Sequence, residues 1–188
     1  TIADQTAKTI VYIHPYKGDK VMLNSGGAWI RRSIPISHID LTEVQSGTTV
    51  NGSMVITGLS DTAQLCVGME VTGTGVGASA LIASIDSSTQ ITTDVNSTAD
   101  GTVSITFKVP ADTNIDFFLE DISGFAKLRM ILWTDDTNRA SALELVNGKH
   151  LLDSDNDYNY IGSGRTTDTA GETEDSLLAR FIWNYYNR

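Results

Sequence analysis

This chain is short of cysteine, proline and positive charge, and each shortage narrows what it can be. One cysteine, Cys66, among 188 residues makes an intrachain disulfide impossible. Its setting in Gln64-Leu65-Cys66-Val67-Gly68-Met69 reads as a small buried hydrophobe, not a nucleophile. Three prolines suit short strands joined by tight turns. Thirteen Lys and Arg face 23 Asp and Glu, for a formal net charge of -10. A nucleic-acid partner would need a basic face and an anionic membrane a basic patch, so neither is expected. No apolar run approaches the roughly 18 residues of a membrane-spanning helix. The opening, TIADQTAKTI, lacks the basic-then-apolar layout of a signal peptide. The length suits one large β domain or two small ones with a real core.

What is present is period-two patterning. In Lys127–Trp133, Leu128, Met130 and Leu132 alternate with Arg129, Ile131 and Trp133, which predicts a half-buried strand. Two further apolar runs meet at Asn147-Gly148, the dipeptide that tolerates positive φ at both centres of a type I′ turn. A two-residue loop sets the register, so Val146 faces Lys149, Leu145 faces His150, Glu144 faces Leu151 and Leu143 faces Leu152. A second hairpin is expected where KVMLN and AWIRRSI flank Ser25-Gly26-Gly27. Lys8–Tyr16, Asp116–Ile122 and Tyr158–Gly162 also read as strands, and Pro35–Glu43 as a short strand or an irregular crossing. The tail, DSLLARFIWNYYNR, fits a helix or a strand; its bulky aromatics favour the strand.

Composition changes near Ser46. Residues 47–107 contain no basic residue and one aromatic, Phe107, and are crowded with Thr, Ser, Gly and Val. Strands are expected at Ser53–Leu59, Met69–Gly73, Ala80–Ile85, Gln90–Val95 and Thr102–Val109, separated by turn clusters. The expected architecture is all-β: an antiparallel, jelly-roll-like β-sandwich built from 1–46 plus 108–188, carrying an inserted small β module at 47–107.

Several residues invite a chemical reading. Asp153, Asp155 and Asp157 fit the D-x-D-x-D opening of a calcium loop, but Tyr158 stands where Gly belongs and Gly164 where Glu belongs. They remain a weak metal candidate beside a solvated, self-capping turn. Gly73, Gly75, Gly77 and Ala78 satisfy G-x-G-x-x-A, yet SALIASIDSS leaves no room for the helix that would meet a pyrophosphate. No cofactor is expected. His14, His38 and His150 share no metal spacing. Asp135-Asp136 and Glu172, Glu174 and Asp175 are carboxylates a glycosidase uses, though placed in predicted turns. Trp133, Tyr158, Tyr160, Trp183, Tyr185 and Tyr186 are suited to stacking on sugar rings or to a subunit interface. The interface is preferred, with Phe181, Ile182, Trp183, Tyr185 and Tyr186 as its contacts.

Two passages resemble known proteins. In 58–92, Gly58-Leu59-Ser60-Asp61, Leu65, Val67-Gly68-Met69, Val71, Gly73, Gly75 and Ile82–Ser87 resemble a small β module of tailed-bacteriophage tail fibres and related virion surface proteins. In 128–188, Leu132-Trp133, Arg139, Ala142-Leu143, Gly148, Tyr160-Ile161-Gly162, Arg165-Thr166-Thr167 and the run WNYYNR resemble a segment of tail fibre and tailspike-like proteins. Members of that family continue past such a run into further β structure, whereas this sequence ends at Arg188. The resemblance implies a non-enzymatic, all-β structural component of a virion, homotrimeric and in contact with other virion proteins. In that reading the aromatic domain anchors and the inserted module projects. Capsid decoration, or adhesion to a host surface glycan, is the alternative.

Overall fold

The structure, a computed structural model, describes residues 5–13, 19–35, 37–153, 155–175 and 182–184. Among the described residues the fold is all-β, with no helix, and includes the short strands β1 (Gln5–Lys8), β2 (Ile10–Ile13) and β5 (Ser37–Asp40). The chain divides into two compact units, one of Thr1–Ile39, Thr113–Arg165 and Thr173–Arg188, the other of Asp40–Asp112 and Thr166–Glu172.

The first unit is sandwich-like. Its central strand, β12 (Asn114–Ile122), pairs antiparallel with β13 (Phe125–Leu132) on one side and β16 (Asp155–Arg165) on the other. Five consecutive β12 residues, Ile115–Leu119, are buried, as expected of a strand covered on both faces. On one face Ile115, Phe117 and Leu119 sit opposite Leu132, Met130 and Leu128, the alternating stripe expected from the sequence. On the other, Phe118 packs with Leu152 and Tyr160. Each such buried side chain contributes about 1.5–3 kcal/mol.

Both hairpins form where their turn residues require them. β14 (Leu143–Val146) and β15 (Lys149–Leu152) pair in the expected register, Val146 to Lys149 through Leu143 to Leu152. Asn147 and Gly148 have φ of 50° and 78°, the positive pair of a type I′ turn. β3 (Lys20–Ser25) and β4 (Ala28–Ser33) turn at Gly26-Gly27. The sheet runs β14-β15-β16-β12-β13-β4-β3, with β18 (Ile182–Asn184) also on β16. Among the described residues its one parallel contact joins Phe125 to Ser33. The tail is therefore strand over 182–184.

Asn159 binds β3 to β16 as a substitute backbone. Its Oδ1 accepts from Asn24 N at 2.7 Å, and its Nδ2 donates to the carbonyls of Asn24, Asp157 and Leu119. A buried amide so fully satisfied fixes where the β3–β4 hairpin lies.

The second unit is a six-stranded ring. Its order is β6 (Thr42–Thr49), β11 (Gly101–Lys108), β8 (Glu70–Gly73), β9 (Ala80–Ser87), β10 (Gln90–Thr93) and β7 (Val55–Ile56). Thr48 and Thr57 exchange backbone hydrogen bonds at 2.7 and 3.1 Å, joining the last strand to the first. Closure leaves no long edge. Ile56, Met69, Val71, Ile82, Ile91, Ile105 and Phe107 fill the interior, all at most 1% exposed. At Gly47 a Cβ would come within 2.6 Å of Ile105 Cδ1, so the interior leaves no room for a side chain there.

The boundaries differ from those expected. The compositional change at Ser46 falls inside β6, which is laddered to β11 without interruption from Thr42–Lys108 to Thr49–Gly101. A strand so paired belongs to one unit, and the unit starts at Asp40. Segment 166–172 also returns to it, through Asp112 N to Thr167 O and Gly171 N to Val109 O. The run Ser53–Leu59 is strand only at Val55–Ile56. Gly58, at φ 69°, turns the chain out of the ladder.

Candidate functional site

The densest side-chain chemistry in the first unit lies on the Phe118 face of β12 and β16. Register places Asp116 opposite Ser163 and Phe118 opposite Tyr160. Loop 133–142, between β13 and β14, brings Arg139 to them. Arg139 Nε donates to Asp116 Oδ2 at 2.7 Å, and Ser163 Oγ lies 2.6 Å from Asp116 Oδ1. An ionised carboxylate only accepts, so the Ser163 proton is committed to Asp116 and the Tyr160 hydroxyl, 2.7 Å away, donates to Ser163 Oγ. The guanidinium lies 4.7 Å from the Trp133 ring centre and 5.6 Å from that of Tyr160. Burial works to lower the Arg139 pKa, but the hydrogen bond and charge of Asp116 together with Tyr160 outweigh it, and the net shift is upward. Asp116 is 3% exposed. Trp133 contributes a buried indole N–H with no acceptor among the described residues.

This arrangement is a clamp. The Ser163 hydroxyl is aimed at a carboxylate, and the His150 ring lies edge-on to that of Tyr160, 6.5 Å away. Asp135 accepts from the backbone and side chains of Thr137 and Asn138, chiefly the Asn138 amide, and these hold its carboxyl well below the usual range. Asp136 pairs with Arg165 at 2.7 Å. The carboxylates considered for glycoside hydrolysis in this loop are thus engaged in shaping it.

The remaining sequence candidates lie elsewhere. Asp155 Oδ1 accepts from Asp157 N, and Asp157 Oδ1 accepts from Gly26 N at 2.6 Å. Among the described residues no group of three His, Cys, Asp or Glu is placed to hold a metal ion. The stretch Gly73–Ala78 joins β8 to β9 with no helix; a Cβ at Gly77 would meet Asn96 O at 2.5 Å, so packing accounts for that glycine. Cys66 is buried. Tyr158 and Tyr160 meet Phe118 edge to face, at 5.9 and 5.7 Å, so two of the six aromatics proposed for stacking or interface are tied to the core. Phe181, Tyr185, Tyr186 and His14 lie outside the described residues. Ile182 and Trp183 fall on β18, opposite Gly164 and Ser163. Glu174 and Asp175 fall on β17 (Thr173–Asp175), and Glu172 in the second unit.

The second unit holds a site that the sequence reading missed. Register puts Glu43 opposite Phe107 and Gln45 opposite Ile105, so both point into the ring while Val44, 60% exposed, points out. Gln45 Oε1 accepts from Ser60 N, Ser60 Oγ and Asp61 N; its Nε2 donates to Asp61 O at 2.8 Å and to Glu43 Oε1 at 2.7 Å. Segment 57–69 thereby crosses one end of the ring, from Gln45 to the β9–β10 turn, where Thr62 Oγ1 donates to Ser87 O and Leu59 N to Thr89 O. Polarity alone assigns Val44 to the interior. The available signal was parity with Gly47, which shares its face with Glu43 and Gln45.

Comparison with known protein families, curated proteins and solved structures finds no match.

Proposed function

We propose that this chain is a non-enzymatic structural protein of a tailed-phage virion, a tail fibre or fibre-attachment component that assembles with copies of itself. The observation that carries this reading is where the first resembling passage falls. Residues 58–92 lie within one ring-shaped unit, so that likeness coincides with a piece of structure able to recur as a building part; of the second passage, 128–188, Leu128–Arg165 and Thr173–Arg188 belong to the first unit and Thr166–Glu172 to the second. The clamps support a mechanical role, since Asp116, Asp135 and Asp136 are spent on shaping a loop. The first unit would anchor and the ring would project. The trimer contacts would come from Phe181, Ile182, Trp183, Tyr185 and Tyr186, the aromatic run that favours a desolvated interface.

Imaging particles with a label bound to this chain tests the location. Label on tail fibres is expected. Label on the head replaces this reading with capsid decoration, and particles without label overturn both. Light scattering at micromolar concentration should give three chains per particle, and a combined Trp183→Ala and Tyr185→Ala variant should give fewer. A stable wild-type monomer overturns self-assembly.

A further inference from the structure

We infer that Glu43 makes the loop across one end of the ring an acid-tightened latch. The latch is Gln45, whose amide group takes hydrogen bonds from Ser60 and Asp61 and returns one to the Asp61 carbonyl. The same amide nitrogen also donates to Glu43 Oε1, so Glu43 is part of the device.

The surroundings of Glu43 are hostile to its charge. Its Oε2 is buried with no hydrogen-bond partner among the described residues. Asp61, on the latched loop, and Asp40, just before β6, add negative charge near it. The unit contains ten carboxylates and a single cation, Lys108, with no histidine. Lys108 neighbours inward-facing Phe107 on β11, so it points to the outer face, in register with Thr42 and Glu70. The returning segment 166–172 brings only Asp168 and Glu172. Burial, and then repulsion by Asp61 and Asp40, raise the Glu43 pKa despite the opposing Gln45 hydrogen bond.

The consequence follows from linkage. A carboxyl whose pKa is higher folded than unfolded favours the folded form when protonated. That stability is fully present below the ordinary glutamate value and is lost as pH rises through the raised one. Protonation removes the repulsion between Glu43 and the Asp61 segment, so the loop is held more firmly in mild acid and opens more readily at neutral pH.

The test is amide hydrogen exchange at Ser60 and Asp61 in the full chain, corrected for intrinsic rates, at about pH 7.5 and about pH 5. Wild type should show greater protection at the lower pH. Glu43→Gln, a neutral side chain that retains the acceptor for Gln45, should be well protected at both. Protection in Glu43→Gln lower than wild type at the higher pH, or equal pH dependence in the two proteins, overturns the proposal. Asp61→Asn provides a second arm, because Gln45 binds only the backbone of Asp61 and asparagine keeps the Oδ1 acceptor that Ala63 N uses. It should move the carboxyl titration of Glu43, followed by carbon NMR, toward the ordinary value. A wild-type Glu43 that already titrates there also overturns it.

Discussion

The first unit ends in edges and the second closes on itself, and among the described residues the two differ in the kind of buried polar group they leave without a partner. In the sheet, Asp116 is satisfied by Arg139 and Ser163, and Asn159 by three backbone carbonyls and an amide. In the ring, Gln45 is equally well served, but Glu43 beside it leaves one oxygen buried without a partner. A closed ring needs no edge protection, but its inner face includes every second residue of each strand, and β6 supplies Glu43, Gln45, Gly47 and Thr49 there. The comparison teaches that the sheet leaves neutral groups such as Trp133 Nε1 and Asn24 Oδ1 without partners, while the ring leaves a carboxylate oxygen, whose cost depends on protonation.

The largest effects should come from emptying each core. Phe118→Ala and Phe107→Ala both remove a fully buried ring, at a cost of about 3–5 kcal/mol each. If the two units are separately stabilised, calorimetry will show Phe118→Ala lowering one transition and Phe107→Ala the other. A single transition lowered equally by both would mean that the units unfold as one. Next comes the clamp. Arg139→Met leaves the Asp116 carboxylate buried without its cation. The cost should be about 2–3 kcal/mol by urea titration, below the figure for a fully buried pair because Arg139 is 34% exposed and Ser163 still donates. Arg139→Lys should recover only part of it, lacking the planar fork that stacks on Trp133.

How far the sequence could be read depended on whether strand parity coincided with polarity. Along β13 it did: Leu128, Met130 and Leu132 are apolar and buried, and alternation alone identified the face. The β14–β15 register was also legible, because Asn147-Gly148 admits one loop length. On β6 parity and polarity are inverted, with Val44 outside and Gln45 inside, so the latch was invisible to a pattern that equates apolar with buried. The Asp116–Arg139 pair spans a strand and a loop 23 residues apart, and no local spacing announces such a contact. The unit boundary was misplaced for a related reason: composition shifts midway along a ladder whose hydrogen bonds ignore side-chain chemistry.

Smaller effects sharpen the contrast between latch and edge. Gln45→Ala removes the acceptor used by Ser60 and Asp61 and strands their amides, which should cost about 1–3 kcal/mol. Exchange protection should fall at Ser60 and Asp61 while Asn159 and its neighbours in the sheet stay unchanged. Loss of protection in both units would contradict the local assignment of the latch.

The smallest effect on folding should come at the sheet edge, and there a second measurement carries the weight. Leu145 is 62% exposed on β14, the last strand of its sheet, and Leu145→Lys should change stability by no more than about 0.5 kcal/mol. An exposed edge strand is nonetheless a template for pairing with another chain, and lysine is the residue that most often blocks such pairing. If copies associate through β14, Leu145→Lys lowers the mass seen by light scattering with the melting temperature unchanged. If they associate through the aromatic run at 181–186, the mass stays that of wild type. The same substitution therefore separates an edge-mediated assembly from one built on Trp183 and its neighbours, because it alters the first surface and leaves the second intact.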